Sequence, residues 1–196
     1  MATVASTSPS ELSPKSSEYP VLEPPGDDIH YEVVDNQIRE LPPMGAHEAH
    51  LASILLRFLS FFAWDHGLGE VVSEMLFLLE PGTNLQRKPD LALVSFERWP
   101  RGRPVPKGPA WPVVPNLAVE VVSPKNDANE VVRKIEDYFR CGVQRVWVIY
   151  PEVSKVYDYD SPTSVRILTS DQTLEGRDIL PGWELPLVEI FPSEAV

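Results

Sequence analysis

The sequence predicts an α/β (α+β) domain with a mixed central β-sheet flanked by helices. Two segments with helical periodicity lie among several short β-type runs. The second helix joins two apolar runs, and a strand–helix–strand crossover of this kind (residues 116–150) joins parallel strands. Consecutive strands precede the crossover, which favours antiparallel pairing there. The sheet is therefore expected to be mixed, with one helix on each face.

The length fits a single domain, residues 29–196, behind an N-terminal tail. Residues 1–28 are rich in Ser, Pro and Glu and lack apolar periodicity, so we expect a disordered or loosely attached tail. No apolar run is long enough for a membrane span, and the N-terminal sequence lacks the pattern of a secretory signal. The single cysteine, Cys141, suits a reducing compartment, so a cytoplasmic location without a membrane partner is expected.

The first elements are a hairpin and a long helix. "IHYEVVDNQIREL" (29–41) holds two β-type runs around the turn sequence Asp35-Asn36. A segment of about 18 residues ending at Gly67 then shows apolar residues at helical spacing. These residues are Leu51, Ile54, Leu55, Phe58, Leu59 and Phe62.

Strands and a loop follow the first helix. "GEVVSEMLFLLE" (69–80) predicts one strand, "PGTN" a turn and "KPDLALVSF" (88–96) a second strand. Segment 98–115 is rich in Pro and Arg and predicts a surface loop. This loop is either an ordinary one or the local basic patch for a phosphate backbone, and the cations concerned are Arg98, Arg101, Arg103 and Lys107.

The second half contains the crossover. "NLAVEVVSP" is apolar on both faces and predicts a central strand. A helix of about 14 residues follows, capped by Asp127 or Asn126 and ended by Gly142. "VQRVWVIYP" predicts the next buried strand, and residues 155–192 supply short strands that close the domain.

The charge of the chain limits its partners. The net charge is −12, and most of it lies outside the tail. A domain with this excess of acidic residues is not a general polyanion binder. A nucleic-acid partner therefore requires a local basic patch or bridging metal ions.

Three charged residues, Asp90, Glu120 and Lys134, are candidates for chemistry. Glu120 interrupts the apolar strand, so it is either at an edge or paired with Arg, or part of a site. Asp90 follows a proline at a strand start, where it either caps a turn or is aimed by a rigid element. Lys134 on the second helix is either a surface lysine paired with Glu130 or a site cation.

Together these three residues suit metal-assisted hydrolysis of a phosphodiester. Two carboxylates on neighbouring strands can hold Mg²⁺, which prefers oxygen ligands. A nearby ammonium can stabilise charge on a phosphate or orient water. This interpretation requires the Asp90 and Glu120 carboxylates to lie within roughly 5 Å of each other, with the Lys134 ammonium beside them.

The order and spacing of several motifs resemble the PD-(D/E)XK nuclease superfamily, and within it the bacterial Uma-type restriction endonucleases. The resemblance covers residues 29–192 and rests on "YEVVDNQIRELPP", "GLGEV", "KPDLALVS", "LAVEVVSP", "KIEDYFRCGVQRVWVIYP" and "LPGWELPLVEIF". In the common superfamily pattern the lysine lies two residues after the acid, where this chain has Val122. Lys134 matches the family's alternative position on the following helix.

The resemblance implies a restriction-endonuclease-like fold and metal-dependent cleavage of DNA, with Mg²⁺ as cofactor and Mn²⁺ as a substitute. It implies Asp90 and Glu120 as metal ligands, joined by the Val121 carbonyl, and Lys134 as the catalytic lysine. The alternative is a catalytically inactive member of the fold that acts as a binding or scaffold protein. Cutting of both strands usually needs two sites, so a homodimer is expected.

Other candidates are weaker on sequence grounds. Glu74 is either a third acid or a solvent-facing strand residue. His47, three residues before His50, could border a substrate groove, but a zinc site lacks the spacing and partner ligands it needs. Trp111 and Trp147 are expected in the core or an interface rather than as platforms for bases.

Overall fold

The computed structural model describes residues 22–26 and 29–191. The elements are β1 (Tyr31–Val34), β2 (Gln37–Glu40), α1 (Ala46–Asp65), β3 (Gly69–Ser73), β4 (Phe77–Glu80), β5 (Leu85–Arg87), β6 (Leu91–Ser95), β7 (Leu117–Val121), α2 (Ala128–Arg140), β8 (Arg145–Tyr150), β9 (Lys155–Ser161), β10 (Ser164–Thr169), β11 (Thr173–Glu175) and β12 (Glu184–Pro186). The predicted tail (1–28) lies almost entirely outside the described residues, and its boundary with the domain stays a prediction.

The main sheet has six strands in the order β10-β9-β8-β7-β6-β3. Strands β7 and β8 are parallel, with Val119 opposite Trp147. The other neighbouring pairs are antiparallel. The predicted mixed sheet, its parallel crossover and the central position of β7 are confirmed.

A second, four-stranded sheet has the order β2-β1-β5-β4. The prediction of one continuous strand over 69–80 is wrong, because the chain leaves the main sheet after β3 and enters the second sheet as β4. Glu74 lies at this break with φ of +48°, a conformation that residues with a side chain rarely adopt. The predicted hairpin is confirmed, and positive φ at both Asp35 and Asn36 suits its tight turn.

The two helices cover opposite faces of the main sheet, as predicted. Leu55 and Leu59 of α1 pack with Leu91, Val119 and Trp147 on one face. On the other face, α2 packs with alternate strand residues and with the second sheet, and this cluster includes Val131, Ile135, Tyr138, Ala118, Val148, Phe77 and Leu85. On this face the main sheet packs against a layer formed by α2 and the second sheet. The candidate residues Asp90, Glu120 and Lys134 lie between the main sheet and this layer.

The remaining elements close the domain. The β11–β12 hairpin contributes Leu174 and Leu185 to the core on the α1 face. β10 forms one edge of the main sheet, and its Val165 and Ile167 are 42% and 47% exposed. The homodimer expected from the sequence stays a prediction. In the described part of the chain, no helix combines the length and apolarity needed to cross a membrane.

Candidate functional site

Asp90 and Glu120 lie side by side on the α2 face of the main sheet. β6 and β7 pair with Leu91 opposite Val119, so one further step of the register sets Asp90 opposite Glu120. Directly opposed residues have Cβ atoms about 4.5–5.5 Å apart. The Val121 amide donates a hydrogen bond of 2.6 Å to Asp90 Oδ2, which fixes the carboxylate against β7. The register therefore sets the two acids side by side on neighbouring strands, and their joint role as metal ligands stays a prediction.

Glu120 is buried beneath α2 and has two partners on that helix. Lys134 Nζ lies 3.0 Å from Glu120 Oε2, and the Tyr138 hydroxyl donates to Glu120 Oε1 at 2.6 Å. Residues 134 and 138 are one helical turn apart and therefore lie on the same face of α2. Of the two caps that the sequence offered, Asp127 is the one that caps this helix, by accepting a hydrogen bond from the Asn129 amide. Lys134 is accordingly buried and does not pair with Glu130.

Glu32 is the buried acid of the site that its sequence context did not single out. It lies in β1 of the second sheet, is 1% exposed, and approaches Lys134 Nζ to 3.1 Å. The same Oε1 atom accepts a hydrogen bond from the Lys88 amide at 2.9 Å. A charged residue inside the apolar run "YEVV" is the signal that could have identified it, by the same reasoning that singled out Glu120.

Arg87 compensates Glu32 and joins the second sheet to α2. Its guanidinium is fully buried and contacts Glu32 Oε2 at 2.7 Å. It also contacts Glu130 at 2.7 Å and Asp137 at 2.6 Å, both on α2. The planar guanidinium has five N–H donors and can therefore bind several carboxylates at once. This explains why the position suits Arg rather than Lys.

Negative charge exceeds positive charge where the network reaches the surface. Arg87 pairs with Glu32, and the Lys134 ammonium pairs with Glu32 and Glu120, whereas no cation among the described residues lies within 4 Å of the Asp90 carboxylate. Burial and the neighbouring Glu120 raise the pKa of Asp90 to about 7. Burial opposes the charge of Lys134, but Glu120 and Glu32 outweigh it and raise its pKa, so Lys134 remains a cation. Burial also raises the pKa of Tyr138, which stays a neutral phenol that donates.

A cleft of about 460 Å³ gives access to these groups. The cleft is lined by Asp90, Glu120, Lys134, Glu32 and Glu74, for which the sequence left open a third acid or a solvent-facing strand residue. The Glu74 amide donates to the Asp90 carbonyl at 3.0 Å, which continues the β3–β6 pairing and sets Glu74 beside Asp90. His47 is exposed on the first turn of α1 and does not line the cleft. His30 lines it instead and lies 3.8 Å from Glu74.

The donor set fits a hard divalent cation. Asp90 and Glu120 offer carboxylate oxygens beside an uncompensated negative charge, and Mg²⁺ is commonly held by one or two carboxylates with water. Within residues 22–26 and 29–191, no three His, Cys, Asp or Glu side chains converge closely enough to form a metal cluster. The Val121 amide is engaged by Asp90, while a role for its carbonyl stays a prediction.

The basic loop 98–107 lies at the other end of the sheet. It follows the C-terminal end of β6, whereas Asp90 precedes the N-terminal end. Arg98 donates to the carbonyls of Val114, Pro115 and Gly142, and Arg101 and Arg103 stack on Trp64 and Trp99. These contacts favour the ordinary surface loop over the phosphate patch at this site.

The fold is that of the restriction-endonuclease-like proteins. The structure is similar to a crystal structure described as "a putative nuclease belonging to DUF820" from Anabaena variabilis, with a TM-score of 0.71 at 18% identity. That likeness covers 82% of this chain and 89% of the other, and it shows the fold.

The family follows from the sequence comparison. The model of the Uma2 family, described as "Putative restriction endonuclease", matches residues 16–188. The chain belongs to this family, and the resemblance stated from its motifs is confirmed. No curated protein matches the chain.

Proposed function

We propose that this protein is a metal-dependent endonuclease of the PD-(D/E)XK type that hydrolyses phosphodiester bonds of DNA in the cytoplasm. One observation carries the proposal: two adjacent carboxylates line an open cleft, and of the two Glu120 is paired with the Lys134 ammonium, while Asp90 has no cation within 4 Å among the described residues. A structural ion pair in a core would balance its charges and exclude solvent. This arrangement does neither, and it suits a cation and a phosphate.

Asp90 and Glu120 would hold Mg²⁺, with Mn²⁺ as a substitute and the Val121 carbonyl as a further ligand. The ion would supply Lewis-acid stabilisation of the phosphate and a more acidic water. The raised pKa of Asp90 means that a proton competes with the ion near neutral pH. Tyr138 orients the Glu120 carboxylate by donating to one of its oxygens.

Lys134 acts as a positive charge rather than as a base. Its raised pKa keeps it protonated, so it cannot accept a proton from water. It can bind a phosphate oxygen or orient a water molecule from a fixed position, because Glu32 and Glu120 hold its ammonium from two sides. Glu32 is therefore proposed as a positioning residue of this site.

Cleavage of plasmid DNA tests the proposal. Wild-type protein with Mg²⁺ or Mn²⁺ should convert supercoiled plasmid to nicked and linear forms, and a chelator should stop the reaction. Asp90→Ala should abolish cleavage, while Glu152→Ala, which removes an exposed acid after β8, should cleave like wild type. Equal cleavage by wild type and Asp90→Ala would contradict the assignment.

The alternative is a binding or scaffold protein that has the fold without the reaction. The net charge of −12 is the observation that favours it. A wild-type protein that binds DNA but leaves plasmid intact with every divalent metal tried would establish that alternative.

A further inference from the structure

Two lysines at the cleft differ from the other cations there. Five cationic side chains line the cleft: Arg39, Lys88, Lys125, Arg133 and Lys134. Arg39 and Arg133 lie within 4 Å of Glu130, and Lys134 is held by two buried acids. Among residues 22–26 and 29–191, no carboxylate lies within 4 Å of the ammonium of Lys88 or Lys125. Unpaired lysines are notable in a protein of net charge −12.

The backbone that carries each lysine is fixed although its side chain is free. The Lys88 amide donates to the buried Glu32 carboxylate. Lys125 lies in the connection between β7 and α2, where Asn126 Oδ1 accepts hydrogen bonds from the amide and hydroxyl of Ser123. The two lysines therefore extend from anchored positions, two residues before Asp90 and four residues after Val121.

Their positions relative to the acids suggest a shared ligand. Lys88 belongs to the connection that enters β6 at Asp90, and Lys125 to the connection that leaves β7 after Glu120. Both connections lie at the edge of the sheet where β6 begins and β7 ends, so a phosphate held at the two acids would have an unpaired ammonium from each connection at that edge. The neighbouring phosphates of a continuous strand supply negative charge at such places, whereas a mononucleotide or a phosphomonoester does not.

We propose that Lys88 and Lys125 bind backbone phosphates next to the phosphate held at the Asp90–Glu120 site. The inference rests on the proposed function and specifies its substrate class: an internal stretch of nucleic-acid strand, read through its backbone. The contacts are to phosphates alone, so they carry no base-sequence preference.

Binding measured without cleavage tests this inference. Fluorescence anisotropy would follow a fluorescein-labelled 20-base-pair duplex titrated with full-length protein in Ca²⁺, over a series of salt concentrations. Lys88→Ala and Lys125→Ala should each weaken binding equally for unrelated duplex sequences and reduce the slope of log Kd against log salt by about one. Lys88→Arg and Lys125→Arg should keep the wild-type slope.

Lys107→Ala is the matched control, because it removes an exposed lysine from the loop at the opposite end of β6. It should bind with the wild-type affinity and slope. Wild-type slopes for both alanine variants at the cleft, or a wild-type protein that does not bind the duplex, would overturn the inference. Reduced slopes together with an intact plasmid in the cleavage assay would support this inference and overturn the proposed function.

Discussion

Two buried carboxylates on the main sheet, Glu120 and Asp158, have bonding partners of the same kinds. Each lies on a strand, and each binds a cation: Lys134 at 3.0 Å for Glu120 and Arg145 at 2.8 Å for Asp158. Each also accepts a hydrogen bond from an aromatic donor, the Tyr138 hydroxyl in one case and the Trp147 indole in the other. Burial and pairing alone therefore do not separate them.

The two clusters differ in charge balance and in access. Around Asp158, three arginines (Arg145, Arg166 and Arg177) face two acids, Asp158 and Glu175. None of these residues lines the cleft. Around Glu120 the negative charge is in excess, and the cleft reaches it. A buried charge thus indicates a site when its compensation is incomplete and a ligand can reach it, and otherwise it indicates a structural ion pair.

The largest expected effect is on stability, at the structural cluster. Asp158→Ala leaves Arg145 buried without its partner and should lower the free energy of unfolding by about 3–5 kcal/mol. Urea denaturation would measure this, with the exposed Asp160→Ala as control. Cleavage per folded molecule should be unchanged, and loss of cleavage in a folded Asp158→Ala protein would remove the distinction between the clusters.

The next largest effect is on activity, at the open cluster. Glu120→Gln keeps the shape of the side chain but removes its charge, and we expect cleavage to fall more than about 100-fold, beyond the loss typical of residues that only support a metal ligand. Isothermal titration should show a matching loss of Mg²⁺ affinity. Unchanged Mg²⁺ affinity would place the ion elsewhere.

The pH dependence of stability should further distinguish the open cluster from the structural one, because the open cluster contains Asp90. The pKa of Asp90 is about 7 in the folded protein, above its ordinary value of 3.8. Between these values the folded state binds a proton that the unfolded state does not, so this group lowers stability as pH rises through the window. Asp90→Asn should therefore raise the Tm of the metal-free protein at pH 8 and change it little at pH 4.

The same proton governs metal binding, since only the ionised carboxylate is a ligand. The apparent Mg²⁺ affinity should fall about tenfold per pH unit below pH 7. Titrations at pH 6, 7 and 8 would measure this. A pH-independent affinity would show that Asp90 does not hold the ion.

The smallest effect is expected for Tyr138→Phe. Loss of the hydroxyl that donates to Glu120 should lower the free energy of unfolding by about 1–2 kcal/mol, because one oxygen of a buried carboxylate loses its partner. Chemical denaturation would measure it. A reduction in Mg²⁺ affinity should accompany the loss, and its absence would mean that Tyr138 supports the fold and not the ligand.

The sequence predicted the parts of this site that depend on nearby residues. Glu120 and Lys134 belong to one strand–helix unit. Glu120 can be recognised because it is an acid inside an apolar strand, and helical spacing sets the position of Lys134 on the helix. The position of Asp90 could also be predicted, because β6 comes before this unit in the chain and belongs to the same sheet. The register of neighbouring strands then sets the two acids side by side.

The second sheet could not be predicted in this way. The segment 69–80 reads as one β-type run, and only tertiary packing decides that it breaks at Glu74 and enters two sheets. Glu32 and Arg87 meet Lys134 and α2 through contacts between residues far apart in the chain, which no local pattern reports. The uses of Arg98 and Arg101 likewise depend on carbonyls and rings brought from elsewhere.

The position of Glu32 and Arg87 also bears on how the folding chain would acquire the cleavage activity proposed for it. Glu32 meets Lys134 across about a hundred residues of chain, and closing so long a loop costs chain entropy that slows the formation of the contact. A chain that has built β7, α2 and β8 but has not docked its second sheet lacks one wall of the cleft. We therefore expect cleavage to recover after secondary structure when the unfolded protein is diluted from denaturant. Nascent and partly folded chains would then be harmless to the DNA around them.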